Sequence, residues 1–120
     1  MRIAVTAQGT YREAKVDPRF GRAKYFVVVD TESGQLEAVD NNVNLNAVQG
    51  AGIQAAQKVA ALRADAVLTG NVGPKAFTAL QAGKVTVYVG VVGTVREALE
   101  KFQAGQLKQA TAASVEGHWL

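Results

Sequence analysis

The hydrophobic period of this chain first turns helical at Gly50, and that change restricts what the chain can fold into. Before Gly50 the apolar residues fall in short strand-like runs. Arg2 to Ala7 alternates with Ile3 and Val5 on one face, and Gln8-Gly9-Thr10 breaks the pattern. Tyr25-Phe26-Val27-Val28-Val29 is β-branched and aromatic, which suits a buried strand. Glu32-Ser33-Gly34-Gln35 has turn chemistry, and Leu36 to Val39 follows as a third strand, so these two runs read as an antiparallel hairpin. Asp40 to Asn46 reads as an Asn-rich loop.

From Gly50 to about Arg63 the period is helical, with Ile53, Ala56, Val59, Ala60 and Leu62 on one stripe. Ala66 to Thr69 is a short buried strand. Gly73-Pro74 opens a second helix, because proline suits the first turn where its missing N–H has no partner. Ala76, Phe77 and Leu80 face inward, and Gly83 closes that helix. Val85 to Val89 is a fifth strand. Thr94-Val95-Arg96-Glu97 has the spacing of a capping box, with Val95, Leu99 and Phe102 inward, and Gly105 with Leu107 reads as a left-handed stop. Residues 106–120 form a tail with no pattern. The expectation is one α/β domain over residues 1–120, with a five-stranded mixed sheet and the order β-β-β-α-β-α-β-α.

That order places the site. A meander of the first three strands sets the third parallel to the first, and right-handed crossovers set the fourth and fifth parallel too. Four carboxyl ends then share one edge. It carries Thr6 and Gln8, the Gly50-Ala51-Gly52 turn, Thr69 with Asn71 and Gly73, and Thr94. Open α/β sheets bind ligands at such edges, and helix starts offer unpaired N–H groups to anions. Gly50-Ala51-Gly52 is equally readable as a tight turn into a closely packed helix.

Charge sharpens the location. Residues 1–24 hold six basic groups (Arg2, Arg12, Lys15, Arg19, Arg22, Lys24) against Glu13 and Asp17, a net +4, which leaves −1 for the rest of a chain of net charge +3. Within that stretch lies Asp17-Pro18-Arg19-Phe20-Gly21-Arg22-Ala23. Phe20 is suited to anchor the loop on the core and Gly21 to a tight turn, while Arg19 and Arg22 offer planar donors to carboxylate or phosphate-like groups. A salt-bridged loop with Asp17 paired to Arg22 is the structural alternative.

Catalytic sets are absent. The sequence has no cysteine, so neither a thiolate metal site nor a disulfide framework is available, and a reducing, cytoplasmic setting is expected. The one histidine, His118, reads as part of a frayed tail. Two-metal nuclease chemistry needs converging carboxylates, whereas the first strand has none and Asp30, Asp40 and Asp65 read as solvated caps. No Gly-x-x-x-x-Gly-Lys-Ser/Thr phosphate loop is present. No run is long enough to span a bilayer and no targeting segment is read.

The ordered set of Asp17 to Ala23 with the Tyr25 to Asp30 strand, Gly50-Ala51-Gly52, Gly73-Pro74-Lys75-Ala76-Phe77, Thr94-Val95-Arg96-Glu97-Ala98-Leu99 and Gly105-Gln106-Leu107 resembles the dinitrogenase iron-molybdenum cofactor biosynthesis family. The resemblance implies a three-layer, ribonuclease-H-like fold without nuclease activity. It further implies a non-enzymatic carrier of the iron-molybdenum cofactor, or of an iron–sulfur precursor, in nitrogen fixation. Cofactor-carrying members often have a histidine before the Phe-Gly pair. Here that position is Arg19, which cannot ligate a metal but can hold an anionic cluster through charge-assisted hydrogen bonds. The expected partner is therefore an anionic small ligand or metal cluster, with an acidic partner protein as the alternative and nucleic acid a distant third, since so few phosphate contacts bind weakly.

Overall fold

A computed structural model describes residues 1–42 and 50–114 of the chain. Its strands are β1 (Arg2–Ala7), β2 (Tyr25–Asp30), β3 (Leu36–Asp40), β4 (Ala66–Leu68), β5 (Thr86–Val89) and β6 (Lys108–Gln109). Its helices are α1 (Ala51–Ala61), α2 (Pro74–Ala82) and α3 (Val95–Gln103). The strands form one mixed sheet in the order β3-β2-β1-β4-β5-β6. β1 pairs antiparallel with β2 and parallel with β4, β2 pairs antiparallel with β3, and β4 pairs parallel with β5. The carboxyl ends of β1, β3, β4 and β5 consequently lie at one edge, as the element order predicts.

The five-stranded expectation is corrected by β6, which pairs antiparallel with β5 through Tyr88↔Gln109 and Val89↔Lys108. It lies inside the stretch read as a patternless tail. Lys108 and Gln109 are exposed and polar, so hydrogen bonding to an open sheet edge defines this strand, not hydrophobic alternation. The stripe of α1 also differs from the expected one. Ala51, Ala55, Ala56 and Val59 are buried, while Ile53 and Ala60 are half-buried. Small residues suit this face because α1 and α2 pack closely: a Cβ on Gly83, the C-cap of α2, would lie 3.1 Å from the Ala60 Cβ.

Two cores sandwich the sheet. On one face Ala4, Phe26, Val28, Val67 and Val87 meet α1 and α2. On the other, Ile3, Val5, Val27, Val29 and Leu68 meet α3 together with Ala14 and Val16 of the β1–β2 connection. Adjacent residues of one strand thus serve different cores, the period-two rule of a sheet covered on both faces. Each fully buried large side chain contributes about 1.5–3 kcal/mol. Among the described residues, no helix is long and apolar enough to cross a membrane.

Helix α3 closes its own start. The Thr94 hydroxyl accepts from the Glu97 N–H at 3.2 Å, and Glu97 Oε1 accepts from the Thr94 N–H at 3.0 Å, which completes the predicted capping box. The Thr94 N–H first, and then the Thr94 hydroxyl, hold the Glu97 carboxyl below its ordinary value of 4.5. A depressed folded-state pKa means that the carboxylate stabilises the fold above pH 4.5 and that this contribution disappears as acid protonates it in the folded chain. Thr94→Ala is therefore expected to lose about 1 kcal/mol in urea unfolding at neutral pH. Glu97→Gln should be less stable than the parent at neutral pH and match it in acid, once both carry an uncharged side chain there; a gap that persists in acid contradicts this assignment.

Candidate functional site

The connection from β1 to β2 crosses from one core to the other, and its hydrogen bonds show how. Residues 14–16 run beside the start of α3, with Val16 N donating to Gly93 O, Val95 N to Ala14 O and Gln8 N to Lys15 O. Ala14 and Val16 are buried there. Asp17 is then fixed against β1 twice: its N–H donates to Thr6 O at 2.8 Å, and the Thr6 hydroxyl donates to Asp17 O at 2.8 Å. Past this point the chain passes over the strand ends, and Phe20 enters the opposite core with its ring centroid 5.8 Å from that of Phe26. The segment Pro18 to Ala23 therefore lies across the carboxyl edge of the sheet.

Two glycines make the crossing sterically possible. A Cβ on Gly70, just after β4, would sit 2.7 Å from both Pro18 Cα and Pro18 O. A Cβ on Gly21 would sit 2.8 Å from Gly52 N and 2.9 Å from Gly52 Cα, at the start of α1. Both obstacles are backbone and cannot swing aside. Gly70→Ala and Gly21→Ala should each lower unfolding free energy by about 1–3 kcal/mol, the range for overpacking. Equilibrium urea unfolding measures this, and losses under a few tenths of a kcal/mol would show that the loop rides higher than described.

The loop is anchored by Asn71 as well. Phe20 N donates to Asn71 O at 3.2 Å, and Asn71 Nδ2 donates to Pro18 O at 3.5 Å, so Arg19 and Asn71 form a short parallel bridge. Asp17 Oδ1 accepts from Arg19 N at 3.0 Å. In place of the alternative Asp17–Arg22 pairing, the aspartate side chain closes a local turn. Arg19 and Arg22 are exposed, and among the described residues neither has an ion-pair partner; Lys75, at the start of α2, is exposed and unpaired too.

The predicted site residues fall into three groups. Gln8, Arg19, Arg22, Gly50 and Gly52 present surface at the carboxyl edge, and Asn71 is half-buried beside them. Thr6 and Thr69 are wholly buried beneath the loop, their hydroxyls 2.9 Å apart, and Phe20, Gly21 and Gly73 are buried also. Their direct effect is on loop placement. Thr94 stands apart, since its hydroxyl is committed to Glu97 and the Glu97 carboxylate sits at the start of α3, where it disfavours a second anion. The starts of α1 and α2 differ, for their N-caps Gly50 and Gly73 provide no side-chain hydrogen bond and no acidic residue occupies either first turn. Both therefore lack the cap and the first-turn acid that α3 carries.

Two contributors escape a reading by sequence pattern. Asn41, at the end of β3, donates through Nδ2 to Gly21 O at 3.2 Å and to Ala23 O at 2.9 Å. Ser114 holds the loop before α2, its N–H donating to Val72 O at 2.9 Å while its Oγ accepts from Val72 N at 2.8 Å. An Asn following a strand and a Ser in a polar tail carry no periodic signal. The acids do not converge: Asp30 Oδ1 accepts from the Glu32 and Ser33 N–H groups, and Asp65 Oδ2 from Arg2 N. Among the described residues no group of His, Asp or Glu could hold a metal ion. Residues 43–46 of the expected Asn-rich loop, and His118, lie outside the described residues.

Sheet order, layering and edge define a mixed α/β protein with Arg19, Arg22 and Lys75, each without an ion-pair partner among the described residues, at the carboxyl ends of the strands. The chain belongs to the dinitrogenase iron-molybdenum cofactor family, whose description matches residues 1–105. It is similar to the orange protein of Desulfovibrio gigas, solved in its apo form, at 48% identity and a TM-score of 0.90, covering 95% of this chain and 96% of that one. A Thermotoga protein described as a candidate NifB protein is 36% identical with a TM-score of 0.82, covering 97% of this chain and 98% of that one. An uncharacterised protein of Methanocaldococcus jannaschii is 28% identical over 98 residues, 79% of this chain and 82% of its own.

Proposed function

We propose that this protein is a non-enzymatic carrier that holds an anionic metal cluster, the iron-molybdenum cofactor or an iron–sulfur precursor of it, at the carboxyl edge of its sheet. The observation that carries this reading is the pair of exposed, unpaired arginines, Arg19 and Arg22, on a loop fixed beside the uncapped starts of α1 and α2. Guanidinium groups and helix N-termini both favour anions, and neither supplies an electron pair to a metal. The cargo is accordingly held through its own anionic ligands. Gln8, Gly50, Gly52 and Asn71 border it, while Thr6, Thr69, Phe20, Gly21 and Gly73 fix the loop and the helix start from below. Family membership supports the cluster, and a relative solved in an apo form supports a protein that takes a ligand. The three-layer sheet supports the ribonuclease-H-like description, with no converging acids for nuclease chemistry.

A docking role for the same edge is the second reading, favoured by Tyr11 at 60% and Val92 at 66% exposure on the loops around it, beside the exposed Lys15. An acidic partner with an apolar contact would fit. Anaerobic gel filtration with iron-molybdenum cofactor extracted from nitrogenase tests the carrier reading. Metal should co-elute with the protein, with affinity falling as ionic strength rises, and the Arg19→Ala/Arg22→Ala double variant should bind at least about tenfold more weakly, or about 1.4 kcal/mol. Equal retention by the double variant, or none by the parent chain, overturns it.

A further inference from the structure

Each arginine of the crossing loop is bracketed by one asparagine. Beside Arg19, the Asn71 backbone carbonyl accepts from Phe20 N, and the Asn71 side-chain Nδ2 donates to Pro18 O at 3.5 Å. Asn41 bonds the groups on either side of Arg22, donating to Gly21 O and Ala23 O from the same Nδ2. Asn41 is 7% exposed, and its own N–H donates to Lys24 O at 3.0 Å. Its Oδ1 is buried with no partner, the one such side-chain atom among the described residues. Leaving a buried acceptor unmatched is destabilising, so the two donated bonds outweigh a real penalty. Reversing the amide would set Oδ1 against two carbonyl oxygens, which fixes the orientation.

We infer that Asn41 is a positioning residue for Arg22 in anion binding, acting independently of the Asn71 contacts beside Arg19. The inference rests on the carrier reading for its ligand but not for its geometry. An exposed arginine loses considerable rotamer freedom on gripping an anion, and a backbone held in advance lowers the ordering that binding must supply. One bracket comes from the end of β3 and the other from the loop after β4, so the two cations are held from opposite sides of β1. The loop need not move as a unit for either to be lost.

Backbone order and anion affinity together test this. Asn41→Ala should lower the ¹⁵N heteronuclear NOE at Gly21, Arg22 and Ala23 while leaving Arg19, which is held through the Asn71 backbone, unchanged. Molybdate, titrated calorimetrically, should bind Asn41→Ala about fivefold more weakly than the parent, and Asn41→Ala should have no further effect in an Arg22→Ala background, as a shared path of action requires. If Asn41→Ala does not fold, Asn41→Leu, which is close in shape, uncharged and without either donor, is measured the same way. Loss of thermal stability with unchanged order at residues 21–23, or an equal loss of affinity with and without Arg22, overturns the inference. Failure of the parent to bind molybdate would count against the anion reading alone, since the NOE pattern judges the brackets without any ligand.

Discussion

The chain must pass over the end of its own sheet between Val16 and Phe20, and the paired hydrogen bonds between Thr6 and Asp17 hold it there. Both partners are buried, so neither bond is exchanged cheaply for water. Val16 belongs to the core under α3 and Phe20 to the core under α1 and α2. The crossing thereby ties the two layers together with one short segment, and whatever lies on that segment is carried to the carboxyl edge. Gly70 and Gly21 lower it onto the strand ends, and Asn71 and Asn41 fasten it on two sides. Arg19 and Arg22 lie at that edge because the backbone that carries them passes over it.

Electrostatics then separates three helix starts that look alike by topology. All three helices begin at the same edge, yet α3 supplies its own anion in Glu97 and its own acceptor in Thr94. Its first turn is already satisfied. α1 and α2 begin at glycine, which gives close approach and no side-chain oxygen, and α2 adds proline and then Lys75. In the proposed function the edge is thus polarised, better suited to an anion near α1 and α2 than at α3, where Glu97 already sits. Thr94 follows the same spacing logic as Gly50 and Gly73 in the sequence but not the same chemistry.

Much of the fold is legible from hydrophobic period alone, because β1, β2 and all three helices bury regular faces. The element that escapes is β6, whose two residues are exposed and whose existence depends on an open edge of β5. The site is legible in a different measure. Phe20 and Gly21 announce an anchored turn, and the arginines announce charge, since those roles follow from side-chain chemistry. Asp17 was open to misreading because an aspartate next to two arginines suggests an ion pair, whereas the nearest donor in a tight turn is the N–H two residues on. Asn41 and Ser114 could not be found, for each acts across a distance in sequence that only the folded sheet closes. Ser114 meets Val72 from 42 residues away.

A carrier has to release what it holds, and the chemistry available at this edge suits release. Exposed ion pairs are worth about 0.2–1 kcal/mol each in water, far less than a thiolate or imidazole bond to a metal. In the proposed function two guanidinium groups and two helix starts give a grip that grows with the charge and breadth of the anion, so a multiply charged cluster is held more tightly than a single small anion. The same grip weakens when another anionic surface competes for the arginines. In the proposed function, delivery to an acidic partner needs no conformational switch, because docking and release draw on the same positive edge. In that proposal the arginines and helix starts leave the cargo's own coordination intact while it is carried.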